Sequence, residues 1–163
     1  MKKMFCLIIL TSLLACGHKA QENSTSDYSA LPSFNLLLSD SITKFNTGDI
    51  ASGKAVILMY ISTDCEHCHA LTKELLKNIN SLKDIQIYLF TPMPFKEMKQ
   101  FSQDFRLEDY KNITVGNDYE YAFYRIYNAT SFPCIAIYDK EKKLVKFYKG
   151  EVSIDKIVEA THI

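Results

Sequence analysis

The sequence predicts an α/β fold, a three-layer sandwich whose mixed central β-sheet is flanked by helices. Three observations lead there. Residues 55–61 (AVILMYI) are apolar throughout, as expected of a central strand covered on both faces. That run leads within a few residues to Cys65-Glu66-His67-Cys68-His69 and then a helical stretch, so a buried strand turns into a helix at a pair of cysteines. Later, residues 134–138 and 144–148 flank the charged turn Asp139-Lys140-Glu141-Lys142-Lys143 and read as an antiparallel hairpin. A βαβ unit followed by a hairpin requires a sheet with both parallel and antiparallel pairs.

The elements follow in order. Residues 33–38 (SFNLLL) and 42–45 (ITKF) are expected as two short strands around a turn at Ser39-Asp40-Ser41. A polar loop over 48–54 precedes the central strand. In the next helix Cys68, Leu71, Leu75 and Ile79 recur at three- and four-residue intervals, which makes one face apolar. Residues 85–90 (IQIYLF) supply the second strand of the βαβ unit. Pro92 and Pro94 interrupt the chain before a helix over 95–105. A short strand near 113–115 and a helix near 119–127 come before the hairpin, and Gly150 precedes a final helix over 154–160. At 163 residues the chain is expected to bury one core, in one domain.

Charge excludes one class of function. Nineteen Lys and Arg balance nineteen Asp and Glu, and no basic stripe interleaves with aromatics, so no nucleic-acid partner is expected. The amino terminus reads as a targeting segment. Lys2 and Lys3 precede an apolar stretch over 4–14, about the length of a signal core and too short to span a bilayer comfortably. Leu13-Leu14-Ala15-Cys16, followed by Gly17, resembles the bacterial lipobox, whose cysteine is lipidated and becomes the first residue of the mature chain. The expectation is a lipoprotein signal peptide over 1–15, a lipidated Cys16 with a flexible tether over 16–31, and a folded domain over 32–163. Such a tether reaches on the order of 20 Å by random-coil scaling. The expected location is extracytoplasmic, on the periplasmic side, anchored to a bacterial membrane through Cys16, in a compartment that tolerates disulfides. Cys6 leaves with the signal, so Cys65, Cys68 and Cys134 remain as thiols.

Two cysteines separated by two residues can form a strained disulfide, bind a metal or take a covalent haem. Position narrows the choice. A cysteine at a helix amino terminus faces unpaired N–H groups and the positive end of the dipole, which suits an attacking sulfur. With the element order in hand, residues 32–163 resemble the thioredoxin superfamily, and within it the membrane-tethered TlpA/ResA-like thiol-disulfide oxidoreductases. Two motifs carry the resemblance: Ser62-Thr63-Asp64-Cys65-Glu66-His67-Cys68 at the strand-to-helix junction, and Thr130-Ser131-Phe132-Pro133 entering the next-to-last strand.

The resemblance implies a thioredoxin-like sandwich in which Cys65 attacks and Cys68 resolves. It also implies a cis Pro133 packed against the pair, and a Phe132 that presents backbone to a bound substrate strand. The partners implied are protein disulfides or dithiols and an unidentified redox partner, met by a monomer that needs no cofactor or metal. Reduction of those partners, as in cytochrome c maturation, is favoured over oxidation. Glu66 and His67 tune the site in opposite directions, the carboxylate repelling a Cys65 thiolate and the imidazole stabilising it. Three positions depart from the family pattern. Asp64 stands where a tryptophan commonly precedes the first cysteine, Met59 where thioredoxin proper has a buried acid, and Cys134 where a threonine or similar residue is usual. Cys134 reads as a small buried strand residue or as a third thiol beside the pair. His69 reads as a surface histidine or as a member of the site. Lys73 and Glu74 lie on the active helix without an assigned direction.

Three other chemistries compete. A thioredoxin-like copper chaperone is the alternative, with Cys65, Cys68, His69 and Cys134 as soft donors. Such carriers usually have a wider cysteine spacing and a distant histidine, which this chain lacks. A c-type cytochrome would use the CxxCH letters with Met93 or Met98 as distal ligand, but it leaves the strand before the motif and the Ser-Phe-Pro turn without a role. A peroxidase of the peroxiredoxin type expects threonine and proline where Ser62 and Leu58 stand.

Overall fold

Seven strands make one sheet. They are β1 (Asn35–Leu38), β2 (Lys44–Asn46), β3 (Val56–Tyr60), β4 (Gln86–Thr91), β5 (Ile113–Asn117), β6 (Cys134–Tyr138) and β7 (Leu144–Lys149). Among residues 28–162, four α-helices accompany them: α1 (Glu66–Lys77), α2 (Phe95–Asp104), α3 (Ala122–Tyr127) and α4 (Ile154–Thr161). This computed structural model describes residues 28–162, so the expected signal peptide, Cys16 and the first part of the tether lie outside the described residues. Among the described residues no helix is long and apolar enough to cross a membrane.

The sheet order is β2-β1-β5-β4-β3-β6-β7. The pairs β3–β4 and β4–β5 are parallel and the rest antiparallel, so the sheet is mixed as expected. Both parallel crossovers step the same way across the sheet, and crossovers of one hand then put α1 and α2 on the same face. The side chains agree. Ile57, Met59 and Ile61 pack with Cys68, Leu71 and Leu75 of α1, Met98 and Phe101 of α2, and Ile154 and Ile157 of α4. Val56, Leu58 and Tyr60 point the other way, into a second core with Phe123 and Tyr127 of α3. All five residues of β3 are buried, which explains an apolar run with no polar alternation. Each such side chain contributes about 1.5–3 kcal/mol by leaving water.

The structure differs from the expected elements in places, each with a local cause. β1 starts at Asn35 rather than residue 33 because the Phe34 N–H donates to Thr47 Oγ1 at 2.9 Å instead of to a strand. β2 starts at Lys44 because the Asp40 carboxylate accepts the Ile42 and Thr43 N–H groups at 2.9 and 2.8 Å and holds them in the turn. The helix expected near 119 begins at Ala122, since Tyr121 is left-handed with φ 54°. Asp118 replaces the missing first turn, its two carboxylate oxygens accepting the Ala122 and Phe123 N–H groups at 2.8 and 3.0 Å.

Residues 28–31, expected at the end of a tether, are packed on the domain. The Tyr28 ring lies 4.7 Å from that of Tyr127 and 5.7 Å from that of Phe147. Its carbonyl accepts from the Tyr138 hydroxyl at 3.0 Å, and Ala30 bridges to Lys143. The Tyr138 proton being used there, the Tyr127 hydroxyl donates to Tyr138 at 2.5 Å. These contacts sit at the far end of β6 from Pro133, because Val56, the first residue of β3, pairs with Tyr138.

Candidate active site

β3 delivers the chain through Ile61 and the loop Ser62-Thr63-Asp64 to Cys65, which is the N-cap of α1. Its backbone is extended (φ −85°, ψ 115°) and its sulfur accepts the Cys68 N–H at 3.3 Å, the bond that a Ser or Asp cap would make. Glu66 lies in the first turn and Lys77 in the last, matching the helix dipole. The Asn78 side chain closes the other end by donating to the Glu74 carbonyl at 2.9 Å.

Cys68, one turn on, is fully buried among Ile57, Met59 and Ile61. Burial pushes its thiol well above the ordinary thiol range, and its hydrogen bond with Cys65 adds to the effect. Cys65 is half-buried, and both cysteines are free thiols. Opposite them, the Phe132–Pro133 peptide bond is cis, as the resemblance implied. The Cys65 thiol points at the Phe132 carbonyl oxygen at 3.9 Å. The Phe132 ring is held 5.2 Å from that of Tyr60, and the Pro133 carbonyl accepts the Gly150 N–H at 2.8 Å. Gly150 has φ 79°, a conformation that L side chains rarely adopt, which is why the end of β7 turns back toward the site at a glycine.

The structure thus brings Cys65, Cys68, Phe132 and Pro133 together. Glu66 and His67 occupy two different sides of them. His67 is exposed and its Nδ1 lies 3.8 Å from Glu151 Oε2, an exposed pair worth at most about 1 kcal/mol. Both line a cleft of about 300 Å³ that Pro133, Leu71 and Val152 complete. Glu66 borders a larger groove of about 610 Å³ along the other side of α1, with Thr63, Asp64, His69, Lys73 and Glu74.

His69 is not a plain surface residue. It is half-buried, and its ring meets Phe101 and Phe105 edge-on at 5.0 and 5.4 Å. Its Nε2 lies 2.7 Å from the Thr63 carbonyl. A carbonyl only accepts, so Nε2 carries the hydrogen. Thr63 Oγ1 also donates to Glu97 Oε2 at 3.0 Å, and the Ser62 hydroxyl donates to Asp64 Oδ1, which lowers the Asp64 carboxyl below its usual range. His69 and Glu97 therefore hold the loop that presents Cys65. Sequence spacing placed His69 one turn after Cys65, but Glu97 and Phe101 come from α2 and Phe105 is its C-cap, and no local pattern links them to His69.

Met59 is fully buried beneath α1, so no carboxylate lies there. Glu74 is half-buried and turned to Lys77 Nζ at 2.7 Å, and Lys73 is exposed. Cys134 points away from the pair. Strand alternation puts it with Ala136 and Tyr138 in the α3-side core, while Cys68 lies in the other. Its thiol donates to the Ser131 carbonyl at 3.0 Å, and burial raises it above the ordinary range. The four soft donors weighed for copper do not converge. Among the described residues no three His, Cys, Asp or Glu side chains are grouped to share a metal ion.

Comparison with known proteins agrees with this fold. The family described as a thioredoxin-like domain matches residues 50–162. No curated protein matches the chain. Among solved structures, a secreted disulfide oxidoreductase of Mycobacterium tuberculosis, homologous to Escherichia coli DsbE, is 17% identical, with 78% of this chain and 93% of that chain covered and a TM-score of 0.66. The exposed lipoprotein thioredoxin of Streptococcus pneumoniae is 25% identical over 80% of this chain and 98% of that one, with a TM-score of 0.62. A peroxiredoxin-like protein from Aquifex aeolicus is 16% identical over 82% and 84%, with a TM-score of 0.66.

Proposed function

The chain belongs to the thioredoxin-like domain family, and on that footing we propose that it is an extracytoplasmic thiol-disulfide oxidoreductase, tethered to the membrane through a lipidated Cys16, that reduces disulfides in partner proteins. One observation carries the reading. The Cys65 sulfur caps α1 at the surface, between the Cys68 N–H and the Phe132 carbonyl, with the Cys68 thiol buried behind it. Secreted and lipoprotein neighbours of the same fold support the location, and the Leu13-Leu14-Ala15-Cys16 motif supports the anchor.

The chemistry proceeds in two exchanges. Cys65, as thiolate, attacks one sulfur of a substrate disulfide; a Cys65–substrate bond forms, the substrate bond breaks, and the other substrate sulfur leaves as a thiolate that takes a proton. Cys68 then gives up its proton and attacks the Cys65 sulfur, expelling the second substrate thiolate, which is protonated in turn. Two electrons pass to the substrate, and the dithiol becomes a Cys65–Cys68 disulfide. The order has a physical basis. Cys65 raises Cys68 through both a hydrogen bond and its charge, and forming the mixed disulfide removes that charge. Cys68 becomes easier to ionise when its attack is due. The half-buried Phe132 and the cleft past Pro133 offer the substrate strand a place to lie.

The test is reduction of a protein disulfide, such as that of insulin, by the full-length protein with a dithiol as electron source. Catalysis that Cys65→Ser abolishes is expected. Equal rates for wild type and Cys65→Ser would sink the proposal.

A further inference from the structure

At the pole opposite Cys65, the loops before β3 and β4, the first residue of β4 and the residue pair before β5 border an open cavity of about 460 Å³. Lys54, Lys83 and Lys111 line it with Ser52, Gln86 and Asn112, and no carboxylate does. None of the three lysines has an ion-pair partner among the described residues. The Gln86 amide donates to the Ala51 carbonyl at 3.3 Å, and the Asn112 amide donates to the Leu82 and Ile85 carbonyls at 2.9 and 3.2 Å, so the floor of the cavity is fixed by the fold. Three uncompensated ammonium groups around one hollow suit a phosphate-bearing anion.

The chain itself indicates which anion. Lys142 Nζ donates to the Lys54 carbonyl at 3.0 Å, and the Leu31 N–H donates to the Lys142 carbonyl at 2.9 Å, so the segment arriving from the amino terminus docks beside Lys54. The five residues of β3 separate this pole from the loop bearing Cys65, about 17 Å at strand rise. Only eleven residues lie between Tyr28 and Cys16, at most about 40 Å of chain at full extension. The chain leading to Cys16 therefore leaves the domain at this pole, so a lipid there ties this pole most directly to the bilayer. Resting on that tethered reading, we propose that Lys54, Lys83 and Lys111 form a binding site for the phosphate headgroup of an anionic lipid. The site seats the domain with Cys65 facing away from the membrane, toward soluble partners.

The experiment measures lysine acylation, by mass spectrometry, on the full-length lipid-anchored protein in two kinds of vesicle: phosphatidylcholine alone, and equal parts of phosphatidylcholine and phosphatidylglycerol. In the anionic vesicles Lys54, Lys83 and Lys111 are expected to react about fivefold more slowly, an effect that high salt removes, while Lys73, in the groove along α1, reacts equally in both. Lys83→Gln should reduce the protection of Lys54 and Lys111 while leaving disulfide reduction unchanged. Equal reactivity in both vesicles overturns the proposal. So does equal protection by inorganic phosphate without vesicles, which would make the cavity a small-anion site. The tether is judged separately, by the acyl mass on the Cys16 peptide. Should that mass be missing, protection of the three lysines by anionic vesicles still decides whether the cavity binds a headgroup.

Discussion

The Cys65 sulfur lies 3.9 Å from the carbonyl oxygen of Phe132, across a gap bounded by α1 on one side and the cis Phe132–Pro133 bond on the other. A substrate strand that pairs with the Phe132 backbone therefore carries its own sulfur within reach of Cys65 and not of Cys68, which is fully buried. With Cys68→Ser, the full-length protein should accumulate a mixed disulfide between Cys65 and its substrate, seen as a reductant-sensitive adduct on a non-reducing gel. Cys65→Ser should accumulate none.

Thiol reactivity should divide in the same way. Burial and the Cys65 hydrogen bond hold the Cys68 proton on well above the usual range. In the reduced protein an alkylating agent near neutral pH is expected to label Cys65 first, with the order read by mass spectrometry. The same shift has a consequence for stability. A thiol whose folded value is raised stays protonated while the unfolded chain ionises near the ordinary value of 9.0. The Cys68 thiol thus favours unfolding as pH rises past that value and has no such effect below it. Melting temperature should fall more steeply across alkaline pH for the reduced protein than for the oxidised one, in which Cys68 has no proton to lose.

His69 positions the loop rather than reacting. Its bond to the Thr63 carbonyl and its contacts with Phe101 and Phe105 are lost together in His69→Ala, for about 1–3 kcal/mol of stability by denaturant unfolding. A drop in disulfide reduction should accompany it. His69→Gln, whose amide can also donate to Thr63, should restore part of the activity, which lost ring packing alone would not predict.

Cys134 lies on the α3 side of the sheet, away from the pair. Cys134→Ser keeps a donor for the Ser131 carbonyl. It should leave the redox couple unchanged while costing about 1–2 kcal/mol for a hydroxyl in an apolar core. Thermal melts and thiol titration on the same variant check both halves.

What the chain discloses before folding depends on how local its cause is. β3 and α1 were legible because a doubly covered strand is apolar throughout and an amphipathic helix repeats every three to four residues. The Cys65–Cys68 pair was legible from spacing, and Pro133 from the tripeptide that carries it. The packing of Tyr28 was not. Its hydroxyl partner lies 110 residues away, and the sequence around it is polar and aperiodic like a linker. The late start of α3 was equally hidden, since nothing in Tyr119-Glu120-Tyr121 announces a left-handed tyrosine or a cap supplied by Asp118. Cys134 was read only as far as its strand. Its direction follows from register, with Cys134 opposite Tyr60 on the face that Cys68 does not share.

The reduction potential of the Cys65–Cys68 couple in the full-length protein, titrated against a glutathione or dithiothreitol series, tests the central claim most directly. A reductant of partner disulfides requires a two-electron couple near that of thioredoxin, and a value of about −270 mV is expected. A potential near about −120 mV would contradict the reductant reading and make the protein an oxidant. The absence of any dithiol-disulfide couple would rule out thiol-disulfide exchange at Cys65 and Cys68.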